Sequence, residues 1–501
     1  MPNSNIIISQ ILALARAGAT GRAWDAFVTD RLDEYTDNPK ILTLKGRLLK
    51  DRARAAHGQT RAQLFRLSAE AYADAAALKP DSYPLINAAT MLLFAGQADH
   101  MRVLANEVLA LIQTGIGRGE TPYWNEATRA EVLLLLGDIE AAKTSVAEAV
   151  SLAPQAWEDH ATTLRQFRLI LTFRNEDSAW LLAHAPPPSL YFGGMIGLSP
   201  NDDDAKRAIV DAVADAKAGF GYGALAAGAD IIIAEALVKS GAELHVILPV
   251  IPSLFKTMSV DPFGAEWSDR FDALFETAAS VEIIDGGQAL SLAAVDVAAQ
   301  AAKGRAIYNA ERMGSTAAGL RVLEADKRQD NGYGGPARPS DKIVALARSA
   351  PPPHNPDIAQ SAQSVLVAAR AKMSDIPFPR ASGIKEHSDH IVAVFADLDK
   401  AQADLQMAQR DHPDCALAVN LVVGYDPADD AGRHAQLIRM VDAAAKGTII
   451  AGAEAAMALK ARNPEMWIEP LGAIPDATGA INVFAIAVTA HSAHGEAANG
   501  G

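Results

Sequence analysis

Over roughly the first 185 residues, apolar side chains recur at three- and four-residue intervals with little β-branched alternation, a pattern that predicts amphipathic helices. Leu92-Leu93-Phe94-Ala95-Gly96-Gln97-Ala98 reads as a helix end and turn, followed by a helix through Val103 and Leu109. Leu134-Leu135-Leu136-Gly137-Asp138-Ile139 repeats the phrase, and the helix after it closes on Leu152-Ala153-Pro154. Tyr72 to Leu78 and then Lys79-Pro80 end in the same way. Small alanines suit places where paired helices approach closely, and larger side chains fill the gap to the next pair.

From Leu190 the period changes. Leu190 to Ile196 predicts a short strand ending in Gly193-Gly194, and Asp202 and Asp203 cap a helix whose apolar face carries Ile209, Val210 and Val213. Phe220-Gly221-Tyr222-Gly223 precedes a helix from about Gly228 to Leu237, stopped by Ser240-Gly241. Glu243 to Pro249 and Val281 to Ile284 are strand patterns, and the alternation predicts a parallel, Rossmann-like α/β layer. Further on, Lys342–Leu346, Ile391–Phe395 and Ala416–Val423 predict strands, and Leu398–Arg410, Ala431–Ala445 and Ala451–Ala461 predict helices. With strands near Trp467-Ile468 and Ile481–Val488, that region reads as an α+β domain.

Proline and glycine mark the divisions: Pro186-Pro187-Pro188, the stretch Asp330 to Pro336, and Pro351-Pro352-Pro353. The expected parts are a helical domain at 1–185, an α/β domain at 189–330, an α+β domain at 340–490 and a frayed tail at 491–501. Half of the residues are apolar and 21% are charged, as in a globular chain. Against 60 acidic residues stand 45 basic ones, and the net charge of −15 argues against nucleic-acid or anionic-membrane binding. Cys415 has no cysteine to pair with, which excludes an intrachain disulfide and points to the cytoplasm. Ile6-Ile7-Ile8 lacks the basic flank and cleavage site of an export signal, and no stretch approaches the roughly 20 apolar residues of a membrane span.

The helix, Leu-Gly-Asp turn, helix and closing proline at 123–154 resemble the tetratricopeptide repeat, although the Gly96 and Gly137 turns lie 41 residues apart. Such solenoids present a surface to a protein partner. More loosely, the chain resembles the central region of apoptosis signal-regulating kinases, with its TRAF-binding repeats.

In the α/β region, glycines at a strand end and a helix beginning near Gly228 could together hold a phosphate. Equally, they could simply turn a strand into a helix. The spacing Gly221, Gly223, Gly228 is not the dinucleotide fingerprint. Taken in order, Phe192-Gly193-Gly194, Gly221 to Asp230, Ala234-Glu235-Ala236-Leu237 and Gly241 to Pro249 resemble the SLOG superfamily of nucleotide-sensing and nucleotide-processing domains. That resemblance implies a nucleotide-derived ligand near Gly193, Gly194 and Gly228, with Glu235 facing the pocket. Glu235 also stands four residues before Lys239, the spacing of an exposed helical ion pair. Trp267, Arg270 and Phe271 could line the same pocket or belong to a packed amphipathic helix.

Lys385 to Phe395 and Arg439 to Ile450 resemble the class III adenylate/guanylate cyclase domain of bacterial signalling proteins. That family holds two metal ions, Mg²⁺ or Mn²⁺, on two carboxylates, and uses an Asn and an Arg on the ribose and the transition state. Lys385, Asp389 and Arg439 match the base-recognising, metal and transition-state positions. Departures fall on the first strand, where Leu346-Ala347-Arg348 places an arginine at a metal ligand, on Ala435 in place of the Asn, and on Ser388 before Asp389. The resemblance therefore implies a pseudo-cyclase, which could form a homodimer or pair with an intact cyclase-type chain. His387 and His390, three apart, are expected on opposite faces of a strand with at least one in solvent. His491 and His494 lack a third metal ligand, and Cys415 reads as a small core residue.

The fold class is thus an α-solenoid, a parallel Rossmann-like α/β domain and an α+β cyclase-like domain. The leading function is a cytoplasmic signalling scaffold that senses a nucleotide-derived ligand, with no cofactor assigned. Open alternatives are a nucleotide hydrolase at the α/β domain, an active cyclase with unusual metal ligands, and an adaptor without a small ligand.

Overall fold

The computed structural model describes residues 8, 11–12, 15, 20–115, 121–284, 289–325, 337–348, 361–372, 375–428, 430–444, 446–476 and 479–487. The linker read at 330–336, the prolines at 351–353 and the tail with His491 and His494 lie outside them. The chain divides into two units, Met1–Pro186 and Pro187–Gly501.

The first unit is helical: α1 (Thr20–Thr29), α2 (Pro39–Ala55), α3 (Gly58–Leu78), α4 (Ser82–Phe94), α5 (Ala98–Thr114), α6 (Pro122–Leu136), α7 (Ile139–Leu152) and α8 (Trp157–Phe173). From α2 to α7 each helix packs on its successor, and α4 also reaches α6 and α6 reaches α8, the neighbour-only contact pattern of a solenoid. Side-chain caps start the helices: Asn38 accepts from the amides of Lys40 and Ile41, Asp81 from Tyr83, Thr121 from Trp124 and Asp138 from Ala141. Gly96 and Gly137 both turn the chain at positive φ, 75° and 91°. Helices α2 and α3 pack so closely that a Cβ on Gly46 would stand 2.7 Å from the Tyr72 ring. The helical, repeat-like reading of this region holds.

The second unit holds two sheets. The first contains β1 (Ser189–Gly194), β2 (Phe220–Gly223), β3 (Glu243–Leu248), β4 (Ser280–Ile283), β5 (Ala317–Glu324) and β6 (Lys342–Leu346) in the order β4-β3-β2-β1-β5-β6. All its pairings are parallel. Helices α9 (Asp203–Ala216), α10 (Ala229–Lys239), α11 (Pro252–Ser259), α12 (Ala265–Thr277) and α13 (Leu292–Met313) complete this α/β layer. Gly221 meets Leu237 of α10 on one face, and α13 packs on β1, β2 and β3.

The second sheet contains β7 (Gln363–Ala369), β8 (Gly383–His387), β9 (His390–Phe395), β10 (Leu417–Val423), β11 (Ile449–Gly452), β12 (Trp467–Asp476) and β13 (Gly479–Ala487), in the order β12-β13-β11-β10-β7-β9-β8. Its helices are α14 (Leu398–Asp411), α15 (Ala431–Ala443) and α16 (Ala453–Arg462). Leu366, Ala368, Val392 and Ala418 form a core with Leu437, Met440 and Val441 of α15.

Two readings are corrected here. Lys342–Leu346 is not the first strand of the C-terminal domain, because it pairs in parallel with β5, Leu320 opposite Lys342, and closes the edge of the first sheet. Ala451 does not start a helix: it lies in β11, paired with Val419 and Phe484, and α16 begins two residues later.

Helix α13 joins the two sheets. Gly304 is set directly against α16, where a Cβ would lie 2.1 Å from the Met457 carbonyl oxygen. Lys460 is fully buried in this seam, where its ammonium donates to the Met466 carbonyl at 2.6 Å and pairs with Glu311 at 2.5 Å. Tyr308 meets Phe484 of β13 edge-on, with ring centroids 6.4 Å apart.

Candidate functional site

In a parallel sheet, ligands collect at the carboxyl ends of the strands where the chain order reverses. Here the order reverses between β1 and β5, and β1 ends on Gly193 and Gly194. The glycines have packing reasons to be there. A Cβ on Gly194 would lie 2.5 Å from the Ala229 Cβ and 2.8 Å from the Val322 Cβ. One on Gly221 would meet Leu237 at 2.5 Å, and one on Gly223 the Phe192 ring at 2.6 Å. Gly228, at φ 119°, bridges Ile196 and could not carry a Cβ clear of the Met195 oxygen.

The first turn of α10 carries Asp230, which lies within a motif of the sequence but is not singled out by it. It is buried, and its carboxylate accepts from the Gly194 amide at 2.8 Å and the Ala226 amide at 3.3 Å. Burial pushes its carboxyl up to about 7, opposed by those two amides and by Arg321. A buried carboxylate thus holds amides that a phosphate cradle would have offered.

Glu235 does not pair with Lys239. Its carboxylate takes both prongs of Arg270, at 2.7 and 2.6 Å, and that guanidinium lies 4.2 Å from the ring centre of Trp267, which is buried. Trp267, Arg270 and Phe271 therefore belong to a packed amphipathic helix. Arg348 follows β6 into the reversal-point crevice, donating to the Ile196 carbonyl at 2.7 Å and pairing with Glu324 at 3.3 Å. It is not beside Asp389, so the reading of Arg348 as a reversed metal ligand is withdrawn with the strand assignment that produced it.

In the C-terminal domain β7 ends on Ala369, with Arg370 directly after it, and Ser388 (φ 50°) and Asp389 form the β8–β9 turn. Because the turn falls between them, His387 and His390 are cross-strand partners, and both reach α15. This corrects the opposite-face expectation. His390 is buried between two carboxylates, with Nδ1 2.9 Å from Asp389 and Nε2 2.9 Å from Asp442. Arg370 also pairs with Asp442. Burial alone would raise the Asp442 carboxyl, but bonds from Arg370 and His390 hold it below the usual range. Lys385 is exposed on β8, and Arg439 lies part-buried on α15. Cys415 is part-buried ahead of β10, and burial raises its thiol.

His387 Nε2 lies 2.9 Å from His434 Nδ1, and Tyr425 Oη 2.8 Å from His434 Nε2. Burial lowers both imidazoles, helped by each other's neighbourhood: Lys385 and His390 for His387, His387 and Lys385 for His434. With folded values below 6.5, the unfolded chain binds more protons in that window, so stability falls as pH drops through 6.5 toward the folded values. The melting point of wild type relative to His434→Gln, followed by circular dichroism, is expected to fall as pH drops from 7 to 5. A difference that stays constant over that window would refute the assignment.

A family model described as tetratricopeptide repeats-sensor matches residues 2–92. Among solved structures, a mutant O-GlcNAc transferase from Thermobaculum terrenum matches over 71% of this chain and 60% of its own, at 13% identity. Its TM-score is 0.20, too slight a likeness to carry a structural argument, and this chain spans less than two thirds of it. No curated protein matches. Among the described residues no helix is long and apolar enough to cross a membrane. The N-terminal region is therefore a tetratricopeptide-like repeat, a type of surface that contacts other proteins.

Proposed function

We propose that the chain is a signalling scaffold whose α/β sheet senses a nucleotide-derived anion at the β1/β5 crevice and whose C-terminal domain is a cyclase-like module without turnover. The observation that carries the ligand reading is the half-buried Arg348 guanidinium held at that crevice beside the end of β1. A phosphate reaching Arg348 would compete with Glu324, so binding would exchange one ion pair for another. Such an exchange alters the flanking domains only if the ligand's affinity differs between their arrangements.

The β8–β9 hairpin supports the absence of turnover. Two metal ions need converging carboxylates, and here Asp389 and Asp442 are spanned by His390, with Arg370 on Asp442. This set does not fit a paired-metal centre. An intact cyclase-type chain could supply what is missing, and the helical unit would hold a protein partner.

Thermal shifts of the full chain with nucleoside di- and triphosphates test the ligand reading, since a ligand bound only to the native state raises the melting point. A shift is expected in the wild type and not in Arg348→Gln. If no nucleotide in large excess moves any transition, the chain is an adaptor. Incubation with ATP or GTP and Mn²⁺ should give no product. Cyclic nucleotide would overturn the pseudo-cyclase reading, and free base or monophosphate would favour hydrolysis at the sheet.

A further inference from the structure

A cavity of about 240 Å³ opens between one face of β2, β3 and β4 and the last turns of α13. Helix α13 runs back along the strands, so these turns lie toward the strands' amino ends, away from the β1/β5 crevice. The strand register brings a row of side chains to that face. His245 pairs with Tyr222 on one side and with Ser280 on the other, so the three share a face. Glu243, two residues before His245 on the same strand, shares it too.

Within the row stand a hydroxyl, an imidazole and a carboxylate in the order of nucleophile, base and orienting group. Ser280, exposed at the start of β4, places its Oγ 2.8 Å from His245 Nδ1. Tyr222 stacks on the imidazole with ring centroids 4.6 Å apart and planes within 9°, which fixes the plane of that ring. The other nitrogen, Nε2, is buried without a hydrogen bond among the described residues, and the Glu243 carboxylate stands 3.7 Å from it. Burial first, and the Arg305 guanidinium after it, hold the imidazole below its ordinary value, which keeps it basic and neutral at pH 7. Helix α13 brings N–H donors to the same cavity. Arg305 engages only Nε and Nη2 in its fork onto Glu282, and Asn309 gives one of its two amide hydrogens to Ser189.

We propose that Ser280, His245 and Glu243 form a second site, which hydrolyses small acyl esters. Ser280 Oγ attacks the ester carbonyl carbon as its proton passes to His245 Nδ1, and the imidazolium so formed draws its Nε2–H onto Glu243. The tetrahedral oxyanion collapses, the C–O bond to the alcohol breaks, and His245 gives the proton to the departing oxygen. Water then attacks the acyl-serine while His245 takes a proton from it. That proton returns to Ser280 Oγ as the acid leaves, so ester and water give acid and alcohol. The volume lies below the roughly 300–1,000 Å³ of drug-sized sites, which limits the acyl group to a few carbons.

The test treats the full-length chain with a fluorophosphonate and, separately, with p-nitrophenyl acetate. A phosphonyl adduct that peptide mass spectrometry places on Ser280 is expected, together with a burst of p-nitrophenolate of about one per chain. Ser280→Ala, at an exposed position, should melt as the wild type does and lose both signals. His245→Gln should slow hydrolysis roughly 100-fold. Glu243→Gln should lower kcat about tenfold and leave KM unchanged, the split that marks a positioning role. A wild-type chain without an adduct on Ser280, a burst that survives in Ser280→Ala, or unchanged hydrolysis in His245→Gln would each overturn the proposal.

Discussion

Replacing Gly304 with valine is expected to lower the melting transition of the C-terminal domain and to detach it from α13. A glycine in the middle of a helix costs roughly 0.5–1 kcal/mol relative to alanine, so its presence there asks for a reason. The reason is the Met457 carbonyl group of α16: a Cβ on residue 304 would stand 2.1 Å from its oxygen and 2.6 Å from its carbon. Both atoms are backbone inside a helix and cannot swing aside as a side chain would. The helices must separate, and separation pulls buried Lys460 away from Glu311 and leaves its ammonium with the Met466 carbonyl. Overpacking against a helix backbone costs about 1–3 kcal/mol, and the loss of the Lys460–Glu311 contact adds less than a buried pair would, because the Glu311 side chain is 56% exposed. Calorimetry should show the transition of the second unit lowered and split, with the transition of the helical unit unchanged as the internal control. Gly304→Ala should fall between wild type and valine. A valine variant that melts as the wild type does would mean that α13 and α16 do not meet in this way.

The same seam shows where sequence reasoning stops. Helix α13 is not legible in the sequence because it is buried around most of its circumference, at Val297, Ala301, Lys303, Gly304 and Ile307, which blurs its polar face. The turns of the helical unit were readable because Gly96 and Gly137 carry positive φ, a local requirement. The parallel sheet was readable because strands and helices alternate within short range. Partner choice is not local. Nothing within Lys342–Leu346 says that it joins β5 rather than β7, and assigning it to the wrong sheet carried Arg348 to the wrong site. His387 and His390 failed for a related reason, since a turn at Ser388-Asp389 converts strand spacing into cross-strand pairing. Of the site itself, Gly193, Gly194 and Gly228 were legible as residue types, but Asp230 was hidden in an apolar helix start, where only coordinates reveal what its carboxylate holds.

Asp230→Ala should destabilise the α/β layer heavily, because it leaves the Gly194 and Ala226 amides buried without their acceptor. Each of the two orphaned donors costs about 1–3 kcal/mol, so a loss of roughly 2–6 kcal/mol in a urea titration is expected. Asp230→Asn separates hydrogen bonding from charge. Burial raises the wild-type carboxyl from 3.8 to about 7, so the folded chain retains a proton that the unfolded chain has released. The resulting stabilisation is fully present below pH 3.8 and is lost as pH rises through about 7, and it amounts to roughly 4 kcal/mol across the window. Asparagine does not titrate, so the advantage of wild type over Asp230→Asn should be larger at pH 5 than at pH 8. A gap that widens with pH would show instead that the two amides favour the charged carboxylate and that burial does not dominate. The alanine variant also bears on the ligand. If a phosphate used the amides that Asp230 now occupies, removing the carboxylate would free them and tighten nucleotide binding. With Arg348 as the recognising cation, Asp230→Ala lowers stability and leaves nucleotide affinity unchanged.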